Sequence, residues 1–222
     1  MKIRAVIFDL DDTLYPERDY AVSGFSACTH ILTDDSHKKE DILGELIRLF
    51  DEDSNYVFNR YAKKRGLPDG IVEDCLKTYR SHEPALTLNG EAVSILKWLK
   101  EKHIKIGLLT DGRPEGQRAK IKALNLECYM DSIVITDELG GSMFRKPNPE
   151  GYEAVLRDLR LEPQESVYVG DNLKKDFLAP NTMGMVSVLY TGIKGMYFNS
   201  KPPVGGLPQH IVDCLSKLKK VL

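Results

Sequence analysis

Asp9, Asp11 and Asp12 crowd the short segment Asp9-Leu10-Asp11-Asp12-Thr13, directly after the apolar run Val6-Ile7-Phe8. Three carboxylates so close repel one another unless something positive sits among them. Asp9 and Asp11, two residues apart, can converge on one cation if the chain turns sharply there. Alone, they could equally be turn or helix-capping residues, so their company decides. Three further polar groups follow apolar runs: Thr110-Asp111-Gly112, Lys146-Pro147, and Gly170-Asp171-Asn172 with Asp176. Each has a plain alternative. Thr110-Asp111-Gly112 is a good turn, Lys146 an ordinary loop lysine, Asp171 a cap for a helix expected over Asn172–Thr182, and Asp176 a solvated residue of that helix.

The apolar runs must bring these groups together. Five read as strands: Ile3–Phe8, Ile104–Leu109, Ser132–Ile135, Ser166–Val169 and Met185–Leu189. Helical patterns lie between most of them. Glu91–Lys100 has an apolar side of Val93, Leu96 and Trp98; Glu115–Leu124 and Pro149–Leu159 are similar, the latter with Pro and Glu in its first turn. Alternation of this kind predicts an α/β fold, a parallel sheet layered between helices. Parallel strands end on one edge, and there carboxylates, a hydroxyl and a lysine can meet.

One interval breaks the alternation. Between the first strand and the Glu91 helix lie about 75 residues without a strand, far more than an ordinary connection. Ile42, Leu46 and Leu49 share one helical face, with Ile47 and Phe50 beside them. Asn55–Lys64 is a second candidate helix, and Ile71, Val72, Cys75, Leu76 and Tyr79 mark a third after the Gly66–Gly70 break. The expectation is an all-helical cap domain over 16–85, inserted into a core formed by 1–15 and 86–222. Tyr15, Arg18, Tyr20 and Phe25 either face the cleft or pack the hinge and cap core. Arg113 and Arg145 meet either an anionic substrate or solvent. A last helix carrying Ile211, Leu215, Leu218 and Leu222 is expected to pack on the sheet after a surface loop, Lys194–Pro208.

Composition narrows the partners. Of 222 residues, 42% are hydrophobic, enough for a full core, and 31 Lys and Arg against 33 Asp and Glu leave a net charge of -2. No general basic field favours nucleic acid. No apolar run reaches the roughly 18 residues that span a bilayer, and with a strand expected from residue 3 no secretory leader is read. Cys28, Cys75, Cys128 and Cys214 are scattered without metal-ligand spacing and read as reduced thiols. The five histidines fall outside the four clusters. The expected protein is cytoplasmic, a monomer or weak dimer.

Asp-x-Asp-x-Thr, Thr at the second strand end, Lys-Pro, and Gly-Asp-x-x-x-x-Asp, in this order, resemble the haloacid dehalogenase superfamily, and more closely its phosphatase branch with a helical cap. The likeness covers nearly the whole chain and implies a three-layer Rossmann-like core. It implies Mg²⁺ held by Asp9, the Asp11 main-chain carbonyl and Asp171, with Asp176 and Asn172 supporting from behind. It implies that Asp9 attacks phosphorus to form an aspartyl-phosphate. Asp11 would protonate the leaving oxygen and later take a proton from water. Thr110, Lys146, and main-chain N–H groups around Leu10 and Gly112 would bind the phosphoryl oxygens, and Lys146 would neutralise both nucleophile and phosphate. Asp111 stands where many relatives have Asn. The implied substrate is a small phosphorylated metabolite. A phosphomutase, a dehalogenase and a catalytically silent binding module are the competing readings.

Overall fold

The computed structural model describes residues 2–33, 38–68, 70–195 and 200–222. His37, Asp69 of the expected Gly66–Gly70 break, and 196–199 of the expected Lys194–Pro208 loop lie outside them. In chain order the elements are β1 (Ala5–Phe8), α1 (Glu17–Leu32), α2 (Lys39–Glu52), α3 (Val57–Arg65), α4 (Gly70–Ser81) and α5 (Gly90–Glu101). Then come β2 (Lys105–Thr110), α6 (Pro114–Ala123), β3 (Ser132–Ile135), α7 (Glu150–Leu159), β4 (Ser166–Gly170), α8 (Leu178–Met183), β5 (Val186–Tyr190) and β6 (His210–Val212). Short 3-10 turns link several of them. Among the described residues no helix is long and apolar enough to cross a membrane.

The strands form one sheet in the order β3-β2-β1-β4-β5-β6, and every pairing is parallel. All four residues of β1 are fully buried, as strands covered on both faces require. Helix α7 lies on the face of Ala5, Ile7, Leu109 and Tyr168. It comes close because β2 carries Gly107, where a Cβ would sit 2.8 Å from Val155 and 3.1 Å from Ile7. Helix α5 packs against β2, and a right-handed crossover puts it on the opposite face. Trp98, the single tryptophan of the chain, lies on α5 with Lys219 Nζ 5.2 Å from its ring centroid. The chain runs outward from β1 to β3 on one side and from β4 to β6 on the other. Order therefore reverses between β1 and β4, and a crevice opens at the strand ends of such a switch point.

The chain divides into two compact units, residues Met1–Glu17 with Thr87–Leu222, and Arg18–Leu86. The second is all helical. Phe25 of α1 is its aromatic centre, with ring centroids 5.7 Å from Phe50, 5.6 Å from Phe58 and 5.7 Å from Tyr79. Ile42, Leu46, Leu49, Tyr61 and Cys75 complete the core. Tyr20 packs on Tyr79 and His82, and Arg18 pairs with Asp51 at 2.9 Å. Tyr20, Phe25 and Arg18 are thus engaged within this unit.

Two expected helices change. The end of the chain forms β6 and a 3-10 turn over Leu215–Lys220 instead of a helix through 211. The β-branched pair Ile211-Val212 finds the open edge of β5, and Val212 turns inward while Ile211 stays 67% exposed, the period of a strand. Helix α8 starts only at Leu178. Over 172–176 the carboxylate of Asp176 accepts the Asn172 N–H and folds the chain into a turn.

Candidate active site

Strand pairing carries one residue past β1, with Asp9 N–H donating to Val169 at 2.9 Å. The chain then turns. Leu14 N–H returns to the Leu10 carbonyl at 3.0 Å, and Asp12 sits at φ 54°, a left-handed conformation that Asp tolerates better than most residues. Asp12 Oδ1 accepts the Glu17 N–H at 2.8 Å. The capping role open to this segment falls to Asp12, which leaves Asp9 and Asp11 for other partners. The Leu10 and Gly112 N–H groups have no acceptor among the described residues.

Lys146 is the hub. Its side chain is wholly buried; Nζ donates to Asp9 Oδ1 at 2.6 Å and to the Tyr168 hydroxyl at 2.9 Å, and is ion-paired with Asp176 Oδ1 at 3.0 Å. Asp176 Oδ2 accepts Asn172 N–H at 2.9 Å, and Asn172 Oδ1 accepts Lys174 N–H. This fit needs Gly170, because a Cβ there would overlap the Asp176 carboxylate. Asp171 has no hydrogen-bond or ion-pair partner among the described residues, and its carboxylate lies within 4.8 Å of those of Asp9 and Asp176.

Asp111 ties three loops together. Its Oδ1 accepts from Thr136 Oγ1 and from the Lys146 N–H, both at 3.0 Å, and its Oδ2 from Lys175 Nζ at 2.7 Å. Helix α6 starts just after Gly112 and turns Gln117 and Lys120, three residues apart, towards the acidic turn. Gln117 Nε2 reaches Thr110 Oγ1 and Asp11 Oδ2, each at 3.1 Å. Lys120 Nζ clamps both Asp11 oxygens at 2.9 and 3.0 Å, and Tyr15 donates to Oδ1. Tyr15, fully buried, therefore supports Asp11.

Electrostatics separates the carboxylates. Burial pushes Asp9 up to about 6, with Lys146 opposing it, and pushes Asp171 up to about 9, helped by Asp176 and Asp9. Burial would raise Asp11 and Asp111 too. Lys120 with its hydrogen-bonding neighbours overrides it at Asp11, and Lys146 with Lys175 at Asp111, so both stay below the usual range. Burial also works against the Lys146 charge, but Asp176, Asp9 and Asp111 hold it firmly protonated. Glu17 is pushed up to about 7 by burial and by Asp11.

The structure thus gathers Asp9, Asp11, Thr110, Asp111, Lys146 and Asp171 around a cavity of about 370 Å³. Glu17, Arg145, Asn172 and Lys175 also line it. Arg145 is turned onto Asp137 by two 2.7 Å bonds, and Arg113 is exposed. Sequence reasoning missed Gln117, Lys120, Thr136, Tyr168, Lys175 and Glu17. Gln117 and Lys120, three apart on one helix face, are set off from other helix residues only by their burial.

Acidic groups and a lysine around a cavity at the switch point of a parallel sheet form the candidate active site of an α/β protein. The chain belongs to the haloacid dehalogenase-like hydrolase family, whose pattern matches residues 6–190. It is 28% identical over 240 residues to the glyceraldehyde 3-phosphate phosphatase of Methanocaldococcus jannaschii, covering 98% of this chain and 99% of that protein. It is 30% identical over 210 residues to the protein of that name in Methanopyrus kandleri, covering 90% and 88%. Pyrophosphatase PpaX of Bacillus cereus is 27% identical over 177 residues, covering 78% and 76%. In fold it is similar to the HAD-hydrolase YfnB of Bacillus subtilis, solved bound to magnesium, at TM-score 0.70, 18% identity and 100% and 99% coverage.

Proposed function

We propose that the protein is a Mg²⁺-dependent phosphatase that hydrolyses a small phosphorylated metabolite through an aspartyl-phosphate on Asp9. The carrying observation is the state of Asp9. Lys146 fixes Oδ1, while Oδ2 has no partner among the described residues and the side chain lines the cavity. That is the posture of a nucleophile, positioned by one oxygen and reactive through the other.

The donor set fits a divalent ion. Asp9 and Asp171 are buried carboxylates raised above their ordinary range, and a cation between them would favour their ionised forms. Asp9, Asp171 and the Asp11 carbonyl would hold it, with Asp176 and Asn172 behind them. When bound, the ion offsets the negative charge of carboxylates and phosphoryl oxygens.

Asp9 Oδ2 forms the bond to phosphorus, the ester P–O bond breaks, and the leaving oxygen takes a proton from Asp11. Water then attacks the aspartyl-phosphate, Asp11 recovers a proton from it, and the P–O bond to Asp9 breaks to release phosphate. Thr110 and the N–H groups of Leu10 and Gly112 receive the phosphoryl oxygens. Lys120 keeps Asp11 ionised, and so free to accept the proton of water in the second half of the cycle. Substrate selection is assigned to the helical unit, because that unit is inserted straight after the acidic turn.

A phosphate-release assay with Mg²⁺ over glyceraldehyde 3-phosphate, pyrophosphate, and sugar, nucleotide and organic-acid phosphates tests the reading. Release from one group supports it. Halide release from a 2-haloacid without metal would favour a dehalogenase, and isomerisation without free phosphate a phosphomutase. Inertness toward the whole panel would leave a binding module.

A further inference from the structure

Three cationic side chains line the cavity, and they are not equivalent. Lys146 is committed on three sides: Nζ donates to Asp9 and to the Tyr168 hydroxyl and is ion-paired with Asp176 at 3.0 Å. Its side chain has no exposure. Arg145 turns its fork onto Asp137. Lys175 differs. Its one partner among the described residues is Asp111 Oδ2 at 2.7 Å, and its side chain keeps 28% exposure at the cavity wall. Two donors of a full positive charge are therefore open beside Asp9, Thr110 and Asp171.

A phosphoryl group carries negative charge on three oxygens and needs donors that are free on arrival. The lysine expected to meet it is already occupied in orienting the nucleophile. We propose that Lys175 is a catalytic residue, whose ammonium group, anchored by Asp111, donates to a phosphoryl oxygen of the bound ester. This rests on the phosphatase reading. It also gives a reason for a carboxylate at position 111. Asn could accept from Thr136 and from the Lys146 N–H, but only Asp can also pair with the charge of Lys175.

The competing role is structural. Lys175 would then merely balance the buried Asp111 carboxylate. Four proteins separate the two: wild type, Lys175→Met, Asp111→Asn, and the Lys175→Met/Asp111→Asn double variant. Each is read by kcat/KM on a phosphate ester and by the calorimetric affinity for inorganic phosphate, both with Mg²⁺. Lys175→Met is expected to lose about tenfold to a hundredfold in both, the size of one charged hydrogen bond. The double variant should stay as weak, because removing the unpaired carboxylate does not restore the lost donor. Asp111→Asn should bind phosphate at least as tightly as wild type, since the lysine loses its competing anion. Wild-type phosphate affinity in either lysine variant overturns the proposal. If Lys175→Met does not fold, Asp111→Asn decides, and a tenfold weaker phosphate affinity there overturns it. Wild type inert on every ester would sink the phosphatase reading, while the phosphate affinities still judge Lys175.

Discussion

Asp9 and Asp176 share Lys146, and their dependence on it is measurable. Lys146→Met leaves two buried carboxylates without the cation that pairs with them directly. It should lower stability by about 3–5 kcal/mol in urea unfolding followed by circular dichroism. Asp9→Asn keeps the shape and removes the proposed nucleophile, so hydrolysis should fall by about a thousandfold or more with little change in melting temperature. Near-normal turnover in that variant would take Asp9 out of its role. Lys120 holds Asp11 below the usual carboxylate range, and Lys120→Met removes that hold. Asp11 should then titrate higher and keep its proton to higher pH, and the basic limb of the kcat/KM profile should move to higher pH. An unmoved limb would mean that another group sets it. The residues flanking apolar runs were legible because polar clusters at strand ends stand out. Gln117, Lys120 and Tyr168 were not, since within a helix or strand they look like ordinary surface or core positions. Only their burial marks them, and burial is not written in sequence.

The strands were readable to within about a residue or two because both faces of each are covered, which makes the apolar runs continuous. Helix α1 was not read as a helix of its own. Its buried side consists of Tyr20, Ala21, Gly24, Phe25, Cys28, Thr29 and Leu32, small or half-polar residues with weak contrast. Strand β6 was mistaken for helix because Ile211, Leu215 and Leu218 repeat at helical spacing, while the unsatisfied edge of β5 decided otherwise. Tertiary context overrode the local pattern. The α7–β2 contact is equally specific. Gly107→Val should cost about 1–3 kcal/mol by overpacking against Val155 and Ile7. A melting temperature equal to wild type would show that α7 moves away freely.

The protein joins a parallel sheet bearing the acidic site to an all-helical insertion with its own core. The carboxyls of Asp9 and Asp171 are raised above their ordinary 3.8. They therefore bind protons more tightly folded than unfolded. Stability contributed at low pH is lost as pH rises through these values, about 6 and about 9. The proposed magnesium ion would compete with those protons. Its stabilising effect on the melting temperature, measured against chelator-treated protein, should grow from pH 5 to pH 8. A constant effect across that range would place the ion elsewhere. The lone indole, Trp98, belongs to the sheet-bearing unit beneath Lys219. Its fluorescence is a reporter for that unit alone, so melting confined to the other would pass unseen by tryptophan emission and needs a dye or a second label.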